Sequence, residues 1–203
     1  MRLYQMQDSG NCYKPRLLAH LLGKKLELVD IDIMKGESRT KDFLTKNPNG
    51  RTPTLELDDG TFLAESDAML YLLAQNTSFW PDDTFAQAQV LQWMFFEQYS
   101  HEPYIAVARF WKVIAPEIPP AMQARFPEWH QKGYAALDVM ETHLKDKTYF
   151  VNNTYSIADI ALYAYTHKAH EGDFDLASYP NIRNWLTRLE AHPKHITMEE
   201  RNI

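Results

Sequence analysis

The segment from Thr52 to Ser66 constrains the fold of this chain most strongly, because it combines a proline turn, a hairpin and a helix start. A proline pushes the residue before it toward an extended conformation, and a cis Thr52–Pro53 bond would turn the Thr52 backbone outward with its hydrogen-bonding groups unused. Asp58-Asp59-Gly60 is typical of a hairpin turn. Ser66 is a preferred N-cap residue before an apolar helical run. The segment therefore predicts a free edge for an extended peptide beside a helix N-terminus, which attracts a carboxylate.

The first 76 residues alternate between strand-like and helix-like patterns in the order β-α-β-α-β-β-α. The first two strands are separated by a helix and should be parallel, whereas the last two are joined by a hairpin and should be antiparallel. A mixed four-stranded sheet follows. The predicted strands are residues 3–6, 26–33, 54–57 and 61–64, and the predicted helices are 15–22, 40–46 and 66–74.

The pattern changes after residue 76, where residues 77–83 have the composition of a linker. Beyond it the apolar spacing is helical, which predicts an all-helical domain over residues 84–203 with helices at 84–113, 120–144, 157–170 and 179–191. Pro103 should kink the first of these helices, and the neighbouring His101 is expected at the surface. Ser156 and Asp159 have the spacing of a capping box, which predicts the start of a buried helix.

Composition excludes several classes of function. A net charge of −6 without a block of lysines and arginines argues against nucleic-acid binding. No apolar run has the length of a signal segment or a membrane span, so we expect a cytoplasmic protein without a membrane partner. The single cysteine, Cys12, excludes an internal disulfide and a multi-cysteine metal site, and no metal site is predicted.

The start of the first helix carries the candidate chemistry. Pro15 fits the opening turn of a helix, which places the helix start at roughly residues 12–14. Ser9 and Cys12 then flank a positive helix end, which favours an anion, lowers the pKa of a cysteine and lets a serine hydroxyl point at a bound thiolate. Alternatively, Ser9 only caps the helix and Cys12 is a small buried apolar residue. Convergence of the Thr52–Pro53 edge and the Ser66 helix end on the same side of the sheet favours a site.

The chain resembles the cytosolic glutathione transferase family over essentially its whole length. The residues that carry the resemblance are Ser9 to Leu17, Asn47 to Pro53, Glu65 to Ala68 and Ser156 to Asp159. The resemblance implies a thioredoxin-like N-terminal domain that binds glutathione and a helical domain that supplies the pocket for an electrophile. It also implies a homodimer, a role in detoxification, and glutathione as a co-substrate with no other cofactor.

The resemblance assigns roles along glutathione. The Thr52 backbone would pair with the cysteinyl part, with Pro53 providing the cis bond. Glu65 and Ser66 would hold the γ-glutamyl end, where the Ser66 hydroxyl and amide suit the carboxylate and Glu65 or Asp67 can accept from the ammonium. Arg51 would meet the glycyl carboxylate or be only a solvated surface charge.

The catalytic residue is left open between Ser9 and Cys12. Ser9 matches the serine-type classes, which conjugate glutathione to carbon electrophiles, whereas Cys12 lies near the position of the cysteine-type classes, which perform thiol transfer or peroxidase chemistry. We favour Ser9, because it precedes the helix while Cys12 can turn inward toward the sheet. A binding protein without catalysis, on the same scaffold, is the runner-up hypothesis from another class, and the thiol transferase or peroxidase that depends on Cys12 is the third. Tyr104, Phe110 and Trp111 are expected to line a pocket for a small hydrophobic electrophile.

Overall fold

The computed structural model describes residues 1–201. Within them the chain forms two compact units. The first comprises residues 1–75 together with the segment 193–201, and the second comprises residues 76–192. The boundary between the two units lies after residue 75, and the tail from Pro193 belongs to the first unit and not to the helical one.

The first unit is the predicted mixed sheet with helices. Its strands are β1 (Arg2–Gln5), β2 (Glu27–Asp30), β3 (Thr54–Glu56) and β4 (Phe62–Ala64), and its helices are α1 (Gly10–Leu21), α2 (Lys41–Lys46) and α3 (Ser66–Ala74), with a 3₁₀ turn at Glu37–Arg39. The strand order is β2-β1-β3-β4, with β1 and β2 parallel and the other pairs antiparallel. The predicted thioredoxin-like architecture is confirmed. Its apolar core contains Leu3, Ala19, Leu26, Leu55 and Met69.

The hairpin between β3 and β4 forms as its sequence predicts. Thr54 lies opposite Ala64, and Glu56 lies opposite Phe62. Gly60 has a φ of +84°, a conformation that glycine adopts at no steric cost. The Thr52–Pro53 peptide bond, just before β3, is cis. This hairpin therefore brings the Thr52 edge and the start of α3 to the same part of the first unit.

Helix α1 starts earlier than Pro15 suggests. It begins at Gly10, and Ser9 is its N-cap residue, so Pro15 lies in the second turn instead of the opening one. A proline at this position forgoes one hydrogen bond to the carbonyl of Asn11, four residues back. The Ser9 cap sets the helix start, because its side-chain oxygen accepts the Cys12 amide, one of the first-turn donors that have no partner within the helix.

Helix α3 also begins differently from the prediction. Ser66 is the first helical residue, and the N-cap position belongs to Glu65, whose side chain makes no capping bond. Glu65 has a φ of +66°, in the left-handed region that a residue with a side chain rarely adopts. Backbone strain of this kind concentrates at functional sites.

The segment from Pro193 to Arg201 packs on α1 of the first unit. Ile196 and Met198 are buried. The Tyr13 hydroxyl donates to the carbonyl of Ile196, and the Arg16 guanidinium donates to the carbonyl of Met198 at 3.1 Å. The assignment of residues 193–203 to the helical domain is therefore wrong for the described part of the tail, and residues 202–203 lie outside the described residues. Sequence periodicity cannot show this, because an irregular segment has no repeat.

The second unit is all-helical, as predicted. Its helices are α4 (Thr84–Phe96), α5 (Glu102–Arg109), α6 (Pro120–Gln123), α7 (Phe126–Leu144), α8 (Ile157–Thr166) and α9 (Pro180–Glu190). π-helical turns at Glu97–His101 and Phe110–Ile114 follow α4 and α5, and a 3₁₀ turn at Ala169–Gly172 follows α8. None of the helices in residues 1–201 has the length and apolar character needed to cross a membrane.

The predicted break at Pro103 takes the form of the first π-helical turn, because a proline cannot donate to the carbonyl four residues back. His101, expected at the surface, is completely buried and lies 2.9 Å from the Thr166 hydroxyl through Nε2. The buried hydroxyl of Thr166 satisfies the Nε2 atom of the His101 ring.

Helix α8 is the centre of the second unit, since all its residues are buried. The predicted capping box is present, with Asp159 accepting from the amide and hydroxyl of Ser156. Asp159 also accepts from the Phe150 amide and the Trp185 indole. The predicted linker packs with this unit, because Phe79 is buried and its carbonyl accepts the Ile157 amide.

Candidate functional site

The N-terminus of α1 presents a serine hydroxyl. The Ser9 oxygen accepts the amide of Cys12 at 3.3 Å, so Ser9 does cap the helix. Accepting that bond leaves the proton of the hydroxyl able to donate to another group. Ser9 is half-buried. Both interpretations of Ser9, as a cap and as a donor to an anion, are compatible with this geometry.

Cys12 is placed very differently. Its side chain is completely buried, and its sulfur accepts the amide of Met6 at 3.3 Å. Burial raises the pKa of the Cys12 thiol, and hydrogen bonds with Met6, Ser9 and Thr52 offset only part of that effect. We expected the helix N-terminus to lower this pKa. The pKa is raised instead, because the cost of desolvating the thiolate is larger than the stabilisation that the helix N-terminus supplies.

The edge formed by Thr52 lies next to this helix end. The Thr52 side chain lies beside Cys12, in the first turn of α1, where it acts to lower the pKa of that thiol. Within residues 1–201 the backbone N–H and C=O of Thr52 have no hydrogen-bond partner. An extended peptide that passes the start of α1 therefore meets one unused donor and one unused acceptor.

The start of α3 is joined to the same helix end. The Ser66 hydroxyl donates to the side-chain oxygen of Asn11 at 3.3 Å, and it accepts from the ammonium of Lys14 at 3.4 Å. Lys14 also forms an ion pair with Asp67 at 3.0 Å. The start of α1, the Thr52 edge and the start of α3 thus converge in one place, as the sequence predicts.

The remaining charged candidates differ in exposure. The side chains of Glu65 and Arg51 are exposed, and Asp67 is largely buried against Lys14. Arg51 contributes its carbonyl to the local fold, where it accepts from the Asn47 amide group and the Thr54 hydroxyl. Its guanidinium lies at the surface.

Sequence reasoning missed two residues of this cluster, Asn11 and Lys14. Both were within the segment that carries the family resemblance, but neither was given a role. The available signal was their spacing of three residues on α1, which places two polar side chains on one face of an otherwise buried helix.

The pocket residues predicted in the second unit separate into two places. Tyr104 lines a groove of about 280 Å³ together with Phe96, Tyr99 and Val139, and Lys132 lies 5.3 Å from its ring. Phe110 and Trp111 pack edge to face with ring centroids 5.3 Å apart, and they are not among the residues that line that groove. A role of these three residues in binding an electrophile stays a prediction.

Two family models match this chain. The model described as the N-terminal domain of glutathione S-transferase matches residues 3–79, and the one described as the C-terminal domain of glutathione S-transferase matches residues 112–193. Together with the fold, these matches show that the chain belongs to the cytosolic glutathione transferase family.

Individual relatives agree with this assignment. The crystal structure of a glutathione S-transferase from Pseudomonas fluorescens Pf-5 is 51% identical with a TM-score of 0.95, and the match covers 98% of both chains. The disulfide-bond oxidoreductase YfcG of Escherichia coli is 30% identical over 82% of this chain and 79% of its own. Glutathione S-transferase D7 of Anopheles gambiae is 30% identical over 93% of this chain and 85% of its own.

Proposed function

We propose that this protein is a glutathione transferase that conjugates the thiol of reduced glutathione to small hydrophobic electrophiles. The observation that carries the proposal is the convergence of Ser9, the unpaired Thr52 backbone and Ser66 in the first unit. A γ-glutamyl tripeptide can offer its thiol to Ser9, its extended backbone to Thr52 and its γ-glutamyl carboxylate to the helix start at Ser66.

The proposed chemistry is stabilisation of a thiolate. At an ordinary pKa of about 8.5, only about 3% of a thiol is ionised at pH 7, and a pKa about two units lower would raise that to roughly three quarters. Ser9 donates to the sulfur, and the positive end of α1 stabilises its charge. The thiolate then attacks the electrophilic carbon and displaces its leaving group, while the thiol proton passes to solvent.

Recognition of the tripeptide uses the rest of the cluster. The Thr52 backbone pairs with the cysteinyl unit, and the first turn of α3 at Ser66 takes the γ-glutamyl carboxylate through its amides. Exposed Glu65 is available for the ammonium, and exposed Arg51 for the glycyl carboxylate. The Ser66 hydroxyl is already engaged with Asn11, so its amide is the better donor to the ligand.

We further propose a homodimer, acting in the cytoplasm in detoxification. Phe85, Phe95 and Tyr99 of the second unit are 71%, 67% and 84% exposed. Large exposed apolar side chains of this kind favour association, and a second copy of this chain is the occupant that family membership supports. Sedimentation velocity on the wild type and on Phe95→Ser tests this assembly.

The function is tested with 1-chloro-2,4-dinitrobenzene as electrophile and by titration calorimetry with glutathione. We expect Ser9→Ala to lower kcat about 10²-fold or more and to shift the pH profile upward, because it removes a donor to the thiolate. Cys12→Ala should retain most of the activity. A wild type that neither binds glutathione nor conjugates would overturn the proposal, and loss of turnover only in Cys12→Ala would reverse the assignment of the catalytic residue.

The second candidate is a glutathione-dependent thiol transferase or peroxidase, which the similarity to a disulfide-bond oxidoreductase favours. Burial of Cys12 argues against a mixed disulfide on this chain's own cysteine. Reduction of hydroxyethyl disulfide by wild type and Cys12→Ala discriminates the two candidates. A scaffold without catalysis would bind glutathione and do neither reaction.

A further inference from the structure

The strongest unassigned feature of the first unit is Lys14, a lysine whose side chain has no solvent exposure. Burying an ammonium costs several kcal/mol unless it is paired and hydrogen-bonded. Lys14 meets both conditions, since it pairs with Asp67 at 3.0 Å and donates to the Ser66 hydroxyl at 3.4 Å. Buried ion pairs contribute little net stability. The presence of the Lys14–Asp67 pair is therefore not explained by stability alone.

The partners of Lys14 connect two binding elements. Ser66 and Asp67 form the first turn of α3, and the Ser66 hydroxyl donates to Asn11 in the first turn of α1. Lys14 thus fixes the distance between the start of α1, where Ser9 lies, and the start of α3. A ligand that uses both helix ends must match that distance.

We propose that Lys14 is a positioning residue for glutathione, which holds the γ-glutamyl site of α3 in register with the thiol site of α1. The inference rests on the proposed function, because it assumes that glutathione spans these two helix ends. Lys14 does not contact the reacting atoms. Its effect should therefore appear in glutathione binding and not in the chemical step.

The test compares Lys14→Met with Lys24→Met. Lys24 lies just after α1 and donates to the Leu73 carbonyl near the end of α3, so its variant removes a lysine bound to the opposite end of α3 without touching the site. We expect Lys14→Met to raise the Kd and the KM for glutathione about tenfold or more, with kcat at saturating glutathione within about twofold of the wild type. Lys24→Met should leave all three close to wild type.

Truncated thiols sharpen the test. As thiol substrates, γ-glutamylcysteine keeps the group that α3 is proposed to hold, and cysteinylglycine lacks it. The loss of kcat/KM in Lys14→Met should persist with γ-glutamylcysteine and vanish with cysteinylglycine. An equal loss with both thiols would mean a general structural defect and would overturn the inference.

Folding of each variant is checked by circular dichroism. If Lys14→Met does not fold, Lys14→Gln takes its place, because it removes the charge while keeping a polar end and leaves Asp67 unchanged. We expect it to show the same loss of glutathione affinity. A folded variant that binds glutathione as the wild type does would refute the role of Lys14 while leaving the proposed function intact, whereas a wild type that does not bind glutathione would end both.

Discussion

Ser9 and Cys12 lie only three positions apart at the start of α1, but their side chains have different environments. Ser9 precedes the helix and keeps a hydroxyl proton for a ligand, whereas Cys12 turns inward and accepts the Met6 amide. Sequence alone places both residues at a positive helix end. Which of the two faces solvent depends on how α1 packs, and that is a tertiary property.

The thiol of Cys12 should be unreactive in the folded protein, because burial raises its pKa and blocks access. We expect Ellman's reagent to label it at least about 10²-fold more slowly than free glutathione at the same pH. In guanidinium chloride the labelling should become fast. Rapid labelling of the native protein would contradict the inward placement of Cys12.

At the scale of elements, helix starts were predicted with uneven success. The capping box of α8 was predicted correctly, because Ser156 and Asp159 act on their own helix. The start of α3 was not, because Ser66 bonds to Asn11 and Lys14 of α1 instead of capping its own turn. A local signal is reliable where the side chain keeps its local bond beside its tertiary partners, as Asp159 does beside Phe150 and Trp185, and it fails where tertiary partners replace that bond.

The capping box of α8 should give the stability of the protein a specific pH dependence. Burial raises the pKa of Asp159 from its ordinary 3.8 to about 6. Between these values the native state binds a proton that the unfolded state does not, so this group's contribution is complete below 3.8 and is lost as the pH rises through about 6.

We therefore expect wild type to gain stability relative to Asp159→Asn as the pH is lowered from about 7 to about 4.5, since asparagine does not titrate. Urea unfolding of both proteins across this range measures the difference in free energy. A difference that stays constant with pH would show that Asp159 is ionised throughout.

At the scale of the whole molecule, the order of elements and the fold class follow from periodicity and turn signals, and the structure confirms both. Periodicity and turn signals do not predict which segments of the chain make up the first unit. Its last part, Pro193 to Arg201, is irregular and is held by Tyr13, Arg16 and Gln7, residues that are nearly two hundred positions away in the sequence. Contacts of such long range leave no local pattern.

The attachment of this segment should depend on Arg16 much more than on Arg201. Arg16 is completely buried and donates to the carbonyls of Gln7 and Met198, whereas Arg201 forms an exposed ion pair with Asp30. We expect Arg16→Met to cost about 2–4 kcal/mol of unfolding free energy and Arg201→Ala less than about 1 kcal/mol.

Hydrogen exchange can localise this effect. Amides of residues 193–201 should lose protection in Arg16→Met and keep it in Arg201→Ala. Equal protection in the two variants would mean that buried Ile196 and Met198 hold the segment without help from the guanidinium.

The return of residues 193–201 to α1 also has a consequence for biosynthesis. Domains generally fold as units while the chain leaves the ribosome, the N-terminal one first. Here the sheet and α1–α3 emerge early, but the irregular tail that packs on α1 follows only after the whole of 76–192 has been made. The unit that carries Ser9, Thr52 and Ser66 is therefore completed only after the second unit has been synthesised, and until then the face of α1 around Arg16 lacks this cover.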